Sequence, residues 1–215
     1  MRGMSSVWHP EVLSLAQRSV LDRLGALATR MGFYLGGGTA IALYLGHRRS
    51  IDLDWFTSSP LPAPRDLVKE LGREGIALGV RRWERGTVHG LVARVRVSFF
   101  EYQYPSLHAA RTWPEVGCRL ASLDDLACMK LVAVAQRGAR KDFVDIYALV
   151  TRHRPLPRLL SLYKRRYSMT DLAPVLYGLT YFDDAEGEPM PRMLWKVRWP
   201  VVREAIRQWV REAST

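Results

Sequence analysis

The sequence predicts an α+β fold, in which a mixed sheet flanked by helices is followed by a C-terminal helical subdomain. Two observations support this. Residues 76–102 alternate apolar and polar side chains around a glycine-containing turn, as an antiparallel β segment does. From Leu123 onward, apolar residues instead recur at helical spacing. Because strands mixed with helices come first and helices alone follow, we expect an α/β core over residues 1–115 and a helical subdomain over residues 116–215.

The individual elements follow from apolar periodicity and from turn residues. The first helix is expected after His9-Pro10-Glu11, which is a plausible helix start. A loop rich in proline and serine separates the second predicted strand from the helix that follows it. The predicted helices are 10–31, 39–45, 65–74, 123–136, 140–151, 157–166, 171–181 and 200–213, and the strands that precede the antiparallel segment are 33–35 and 50–56.

The composition is that of an ordinary globular protein, with 215 residues of which 48% are hydrophobic. No stretch approaches the roughly eighteen apolar residues of a membrane span. The N-terminal segment lacks the apolar run of a signal peptide. Cys118 and Cys128 lie outside any CxxC motif, so we expect buried, reduced thiols in a cytoplasmic protein.

A formal net charge of +11 favours a polyanionic partner, and RNA is the leading candidate. The alternative is a compositional or thermophile bias, since only five of the 32 basic residues are lysines. Arginine suits bidentate contacts to phosphate, but this skew alone does not decide between the two explanations.

Residues 34–56 are the most informative segment of the chain. Three glycines at 36–38 bring bare amides to the start of a short helix, where the helix dipole favours phosphate. Asp52 and Asp54 follow on a predicted strand and share one face of it. Two neighbouring carboxylates repel each other unless a cation lies between them, and a hard divalent metal suits that position. Taken singly, the glycines can be simple turn punctuation and the aspartates can be solvated or salt-bridged. Together they predict a site for a nucleoside triphosphate (NTP).

The order of glycine turn, short helix and Asp-x-Asp strand resembles the nucleotidyltransferase superfamily of the DNA polymerase β type. The segments Gly37-Gly38-Thr39-Ala40, Gly46-His47-Arg48 and Asp52-Leu53-Asp54-Trp55-Phe56 resemble, more narrowly, the AbiEii/AbiGii family of bacterial toxins. The resemblance implies a nucleotidyltransferase-like sheet and a metal, Mg²⁺ or Mn²⁺, held by Asp52 and Asp54. The expected nucleotide contacts here are Gly37, Gly38 and Thr39.

A second block, residues 121–147, resembles another motif of the same family. By spacing alone, a solvated and salt-bridged helix face is an open alternative. The resemblance implies that Lys130 and Lys141 neutralise nucleotide phosphates and that Asp142 acts as an acid/base or organises those cations. It assigns Asp145 to holding the helix in place. The resulting catalytic set is Asp52, Asp54, Lys130 and Asp142.

The chain departs from the superfamily pattern on the strand expected beside the Asp-x-Asp pair. Ser98 occupies the position where a third metal-binding carboxylate is usual, and Glu101 has the opposite parity. The acidic residues at 183, 184 and 186 could form a second metal site, but a surface loop is the alternative that we favour. His47 and His89 are expected to be structural, since their spacing offers no zinc site.

The function implied is transfer of a nucleotidyl group from an NTP to an acceptor, with the tRNA 3′ end as the expected acceptor. The protein would be the toxin of a toxin–antitoxin pair and could have a cognate antitoxin as a partner. Arg165, Arg166 and Arg203 are the expected RNA contacts, because their helical positions predict that they are exposed and clear of the apolar stripe; solvated helix faces are the alternative. Two other functions stay open, namely a catalytically altered nucleotide- or RNA-binding module and a transferase acting on a small-molecule hydroxyl.

Overall fold

The computed structural model describes residues 8–213, which form a seven-stranded mixed sheet and its covering helices. The strands are β1 Tyr34–Leu35, β2 Asp52–Thr57, β3 Gly79–Glu84, β4 Thr87–Val92, β5 Val95–Glu101, β6 Arg111–Trp113 and β7 Cys118–Leu120. The helices are α1 Leu15–Arg30, α2 Gly37–Leu45, α3 Pro64–Arg73, α4 Leu123–Gln136, α5 Arg140–Arg152, α6 Leu156–Tyr167, α7 Ala173–Thr180, α8 Asp183–Glu186 and α9 Trp199–Ala213. The predicted α+β class is confirmed.

The strands pair in the order β3-β4-β5-β2-β1-β7-β6. The antiparallel segment predicted over residues 76–102 corresponds to β3, β4 and β5. β2 runs parallel to β5, while β1 is antiparallel to β2 and parallel to β7. The sequence did not predict β6 and β7, because strands of three residues are too short to show a periodicity.

The first predicted helix, 10–31, begins later than expected. Pro10–Val12 forms a separate 3-10 turn, and α1 begins after Ser14. The Ser14 hydroxyl accepts the amide of Gln17, and the Gln17 side chain accepts the amide of Ser14 in return. This reciprocal capping satisfies two amides at the helix start and fixes the boundary there.

One hydrophobic core joins the sheet to the later helices. Trp55 on β2 and Phe99 on β5 are fully buried in it, as are Leu131 on α4 and Ile146 on α5. Helices α4 and α5 both pack against α2, the helix that begins at the glycine turn. The packing therefore holds the second sequence block against the first. The division near residue 115, which the β6–β7 hairpin spans, stays a prediction.

Among the helices of residues 8–213, none combines the length and the apolar character needed to cross a membrane.

Candidate active site

The two aspartates of β2 lie on one face of the sheet. In the parallel pairing with β5, Asp52 lies beside Arg96 and Asp54 beside Ser98. The intervening Leu53 points into the core and is fully buried. The parity predicted from the sequence is therefore confirmed, and Ser98 does occupy the position next to Asp54. The Ser98 hydroxyl is hydrogen-bonded to His89 Nδ1 at 3.0 Å.

The glycine turn runs directly against this strand. Gly37 has φ +63°, a left-handed backbone conformation that residues with a side chain rarely adopt. A Cβ atom at this position would lie 2.5 Å from Asp54 Oδ2. A Cβ on Gly38 would collide with the Nη2 atom of Arg48. The Gly36 amide donates to the main-chain oxygen of Asp54 at 2.8 Å. Glycine thus lets the start of α2 approach the carboxylates closely.

The first turn of α2 offers amide groups beside the aspartates. Ala40 donates the first hydrogen bond of the helix, to the Gly36 carbonyl, so the amides of Gly37, Gly38 and Thr39 precede the helical ladder. Such amides, together with the helix dipole, favour an anion. The Thr39 side chain is buried, and its hydroxyl donates to the main-chain oxygen of Asp52. Any contact of Thr39 with a nucleotide would therefore come from its amide.

Lys130 and Asp142, from the second sequence block, form a buried ion pair. Lys130 Nζ donates to Asp142 Oδ1 at 2.8 Å, and Arg137 Nε donates to Asp142 Oδ2 at 2.9 Å. Burial opposes the ionisation of Asp142, but Lys130 and Arg137 overcome this effect and lower the pKa of the carboxyl group. Asp142 is therefore an anion held between two cations, as an organising residue requires.

Asp145 extends this pair into a larger buried network. Arg48 donates to both oxygens of Asp145, from Nε at 2.7 Å and from Nη2 at 2.8 Å. Lys130 Nζ lies 3.0 Å from Asp145 Oδ2, and His47 Nε2 lies 2.8 Å from Oδ1. Despite complete burial, Arg48 and Lys130 hold the pKa of Asp145 well below its usual range. Asp145 thus locks α5 to the segment between α2 and β2.

The aspartates of β2 repel each other in this setting. Burial first, and then the charge of Asp52, raise the pKa of Asp54. Lys130 and Lys141 act in the opposite direction, which shows that both lysines are electrostatically close to Asp54. Arg96 Nε donates to Asp52 Oδ1 at 2.5 Å. Lys130 and its partner Asp142 therefore lie near the Asp-x-Asp pair, as predicted, and Lys141 is close enough for its charge to act on Asp54.

A cleft of about 300 Å³ opens beside Asp54, and we call it the nucleotide cleft. Phe56 and Phe100 stack in its wall with ring centroids 4.9 Å apart, and Met129 adds a further apolar side chain. Arg137, whose side chain is 58% exposed, lines the polar side. Sequence reasoning missed these roles, although Phe56 and Phe100 have the same parity as Asp54 and Ser98 on their strands.

The predicted RNA contacts differ in their accessibility. Arg165 is exposed on α6, and Arg203 is half-buried with Nη1 donating to Glu186 Oε1 at 2.5 Å. The predicted exposure of Arg166 is wrong. Arg166 is 2% exposed and donates from Nη1 to the main-chain oxygen of Asp125 at 2.7 Å. Its guanidinium also lies 5.4 Å from the ring centroid of Tyr102, so the side chain contributes to packing rather than to a surface.

The acidic segment at 183–186 forms the short helix α8, where Glu186 pairs with Arg203. Across residues 8–213, no cluster of three or more His, Cys, Asp or Glu side chains could hold a metal ion. A metal site within residues 8–213 would therefore depend on Asp52 and Asp54 of β2 and on oxygen atoms of the bound ligand. Mg²⁺ accepts such a site, with one or two carboxylates and phosphate oxygens.

An Asp-x-Asp strand beside a glycine-rich helix start, with cations converging from later helices, defines a nucleotidyltransferase. The family model described as nucleotidyl transferase AbiEii toxin, type IV toxin–antitoxin system, matches residues 19–117 and 95–200. The chain belongs to this AbiEii family.

One protein is similar to this chain in sequence, and two solved structures are similar to it in fold. An uncharacterised protein of Aquifex aeolicus is 35% identical over 204 residues, which cover 93% of this chain and 97% of that protein. The nucleotidyltransferase toxin MenT4 of Mycobacterium tuberculosis shares the fold, with a TM-score of 0.61 and 15% identity over 96% of this chain and 87% of that one. ANT(2″)-Ia, solved in complex with adenylyl-2″-tobramycin, has a TM-score of 0.53 and 15% identity over 71% of this chain and 97% of that one.

Proposed function

We propose that the protein transfers a nucleotidyl group from an NTP to RNA, at the tRNA 3′ end, as the toxin of a toxin–antitoxin pair in the cytoplasm. The reaction breaks the bond between the α- and β-phosphates, joins the α-phosphate to the oxygen of the acceptor hydroxyl, and releases pyrophosphate and the proton of that hydroxyl. The single observation that carries the proposal is the convergence on Asp52 and Asp54 of helix-start amides, basic side chains and an aromatic cleft.

Different residues of the site suit different parts of the nucleotide. The aromatic wall of the nucleotide cleft, Phe56 and Phe100, suits the face of a base. The amides of Gly37 and Gly38 suit phosphate oxygens. Arg137 and Lys141 reach solvent, and both suit contacts with the outer phosphates.

Lys130 and Asp142 contribute in a different way. Lys130 Nζ is bound by Asp142 and Asp145, so its charge balances the interior of the site before any nucleotide arrives. Asp142 in turn fixes the position of Arg137 at the cleft. Much of the rate enhancement of phosphoryl-type transfer comes from such preorganised charge and positioning.

The two β2 carboxylates fit a divalent metal, Mg²⁺ or Mn²⁺. Burial and then the charge of Asp52 raise the pKa of Asp54, and a dication between the two carboxylates would relieve their mutual repulsion. When bound, such an ion neutralises charge on the phosphates at the reacting centre. Asp52 would exchange its contact with Arg96 for this role.

Ser98 supports a second candidate, a nucleotide- or RNA-binding module that keeps the fold but not turnover. With a hydroxyl in place of a third carboxylate, metal affinity at this site depends on two aspartates and on the phosphates of the ligand. The likeness to ANT(2″)-Ia adds a third possibility, a small hydroxylated acceptor.

The test is incubation of the purified protein with Mg²⁺, each of the four labelled NTPs in turn, and either total tRNA or tobramycin. Label in tRNA supports the proposal. Label in tobramycin alone would favour the small-molecule acceptor, and NTP binding without transfer would favour the binding module.

Asp52→Asn and Asp54→Asn should remove metal-dependent NTP binding, because each deletes half of the negative charge that faces the metal. Isothermal titration calorimetry with Mg²⁺ and each NTP measures the effect. Asp22→Asn is the matched control, since Asp22 makes an exposed pair with Arg18 on α1. Unchanged affinity in both site variants would refute the metal assignment.

A further inference from the structure

A second cleft, of about 520 Å³, lies on the other side of Asp52, and we call it the arginine cleft. Four arginines line it, and none of its lining residues is acidic. The whole chain carries 32 basic and 21 acidic residues, so a wall with four cations and no anion is a strong local excess. The four side chains are those of Arg49, Arg94, Arg96 and Arg192.

Within residues 8–213, three of these cations have no ion-pair partner. Among the ion pairs of residues 8–213, none involves Arg49, Arg94 or Arg192. Basic residues elsewhere are often paired, as Arg203 is with Glu186. The charge of the arginine cleft is therefore available to a ligand from outside.

Hydrogen-bond donors in the wall are also unsatisfied. Gln17 is 3% exposed, and its Nε2 atom has no acceptor within the described part of the chain. Arg49 Nε is buried and lacks an acceptor in the same region. Both atoms belong to residues that line the arginine cleft, but the atoms themselves are buried beneath its surface. A ligand in the cleft would therefore meet the exposed guanidinium groups rather than these two donors.

The two clefts are ordered along the same pair of strands. On the β2 side, residues 49–51 line the arginine cleft, Asp52 and Asp54 follow, and Phe56 lines the nucleotide cleft. Because β5 runs parallel to β2, residues 94–96 and Phe100 repeat this order. At about 3.3 Å per residue, Asp52 lies roughly 13 Å from the level of Phe56. The carboxylates thus stand between a base-sized cleft and a cationic one.

We propose that the arginine cleft binds the phosphodiester backbone of the acceptor RNA and leads its end to Asp52. The inference rests on the proposed transferase function, because the transfer needs donor and acceptor on opposite sides of the metal-binding carboxylates. Arginine forks bind phosphate oxygens in pairs. Arg96 lines the cleft, is 58% exposed and donates to Asp52, so it would connect the bound RNA to the reacting centre. Ile51, 65% exposed, offers an apolar surface to a base or ribose.

The test compares the affinities of full-length variants for a fluorescein-labelled tRNA transcript, by anisotropy at several salt concentrations. Arg94→Asn removes the charge and keeps a residue that tolerates the left-handed backbone of this turn, where φ is +67°. Arg192→Ala removes an exposed side chain while its main-chain oxygen still accepts from Arg49. Arg158→Ala, at an exposed position on α6, is the matched control.

Counterion release sets the expected size of the effect. Each lost phosphate contact should reduce the slope of log affinity against log salt by about 0.7 to 0.9. When the salt concentration rises from about 50 to about 200 mM, the affinity should therefore fall about threefold less for each arginine removed than it does in the wild type. The double variant Arg94→Asn/Arg192→Ala should therefore lose about two phosphate contacts, and the control none.

Equal slopes and affinities in wild type, the double variant and Arg158→Ala would overturn the proposal and leave an acidic protein segment as the occupant that the charge also fits. Label transfer to tRNA is scored separately. If the double variant binds RNA as the wild type does and label is still transferred to tRNA, the proposed role of the arginine cleft is refuted and the proposed transferase activity is not. RNA binding through the cleft without transfer would support the cleft and overturn the proposed reaction.

Discussion

Breaking the buried network around Asp145 should strongly destabilise the protein, and Asp145→Asn tests this. Four buried charges are nearly balanced, since Asp142 and Asp145 face Arg48 and Lys130. The substitution keeps the shape of the side chain but leaves one uncompensated positive charge. Removing one partner of a buried ion pair costs roughly 3–5 kcal/mol. We therefore expect the free energy of unfolding to fall by about this amount.

Urea denaturation at pH 7, followed by circular dichroism, measures the loss. Asp22→Asn is the surface control, because exposed pairs contribute only about 0–1 kcal/mol. The double variant Arg48→Gln/Asp145→Asn restores neutrality, so its cost should be smaller than the sum of the two single costs. A loss below about 1 kcal/mol for Asp145→Asn, the level of a surface pair, would show that the network is not stabilising in the way its geometry suggests.

The same network fixes the direction of the pH dependence. The pKa of Asp145 is well below its usual range in the folded protein, because Arg48 and Lys130 outweigh its burial. A group with a depressed folded pKa stabilises the protein above its unfolded pKa of about 4. That stabilisation is lost as the pH falls through the folded value. The difference between wild type and Asp145→Asn should therefore narrow below about pH 4, and a constant difference would contradict the assignment.

Three further outcomes are expected. Gly37→Ala should lower the free energy of unfolding by about 1–2 kcal/mol and weaken Mg-NTP binding in calorimetry, because it forces a side chain against Asp54 at a left-handed backbone position. Gly72→Ala on α3 is the control and should have neither effect, because the space around Gly72 is open. Arg166→Ala should lower the urea midpoint strongly, since it leaves a buried cavity and unpaired groups. The thiols should not react with Ellman's reagent at pH 8 until the protein unfolds, because burial raises both pKa values to about 12. These thiols belong to Cys118 and Cys128.

The first half of the candidate site was predictable from the sequence because its parts are neighbours along the chain. The glycine turn, α2 and β2 follow one another within residues 36–57, and strand parity alone placed Asp52 and Asp54 on one face. The second half was reached only through the family resemblance. Arg48 and Asp145 are 97 positions apart, and no local periodicity could pair them.

The error at Arg166 has a different origin, since the chain itself carried the relevant pattern. Leu159 and Tyr163 are buried on α6, and Arg166 follows them at helical spacing on the same face. An arginine in an apolar stripe is more often half-buried by its stem than exposed. Here the guanidinium is also satisfied, because Asp125 and the ring of Tyr102 surround it.

The positively charged residues must therefore be divided into those with an ion-pair partner and those without one before the net charge is interpreted as a binding surface. Arg48 and Arg166 balance buried aspartates and contribute nothing to the attraction of a polyanion at the surface. Three of the arginines that have no ion pair within residues 8–213 come from distant segments, around residues 49, 94 and 192, and line one cleft. They meet there because β2 and β5 run parallel and residues 192–194 lie against the chain that leads into β2. A net charge of +11 identifies neither group. The fold does, by gathering these three arginines in the cleft that adjoins Asp52, one of the two carboxylates assigned to the metal.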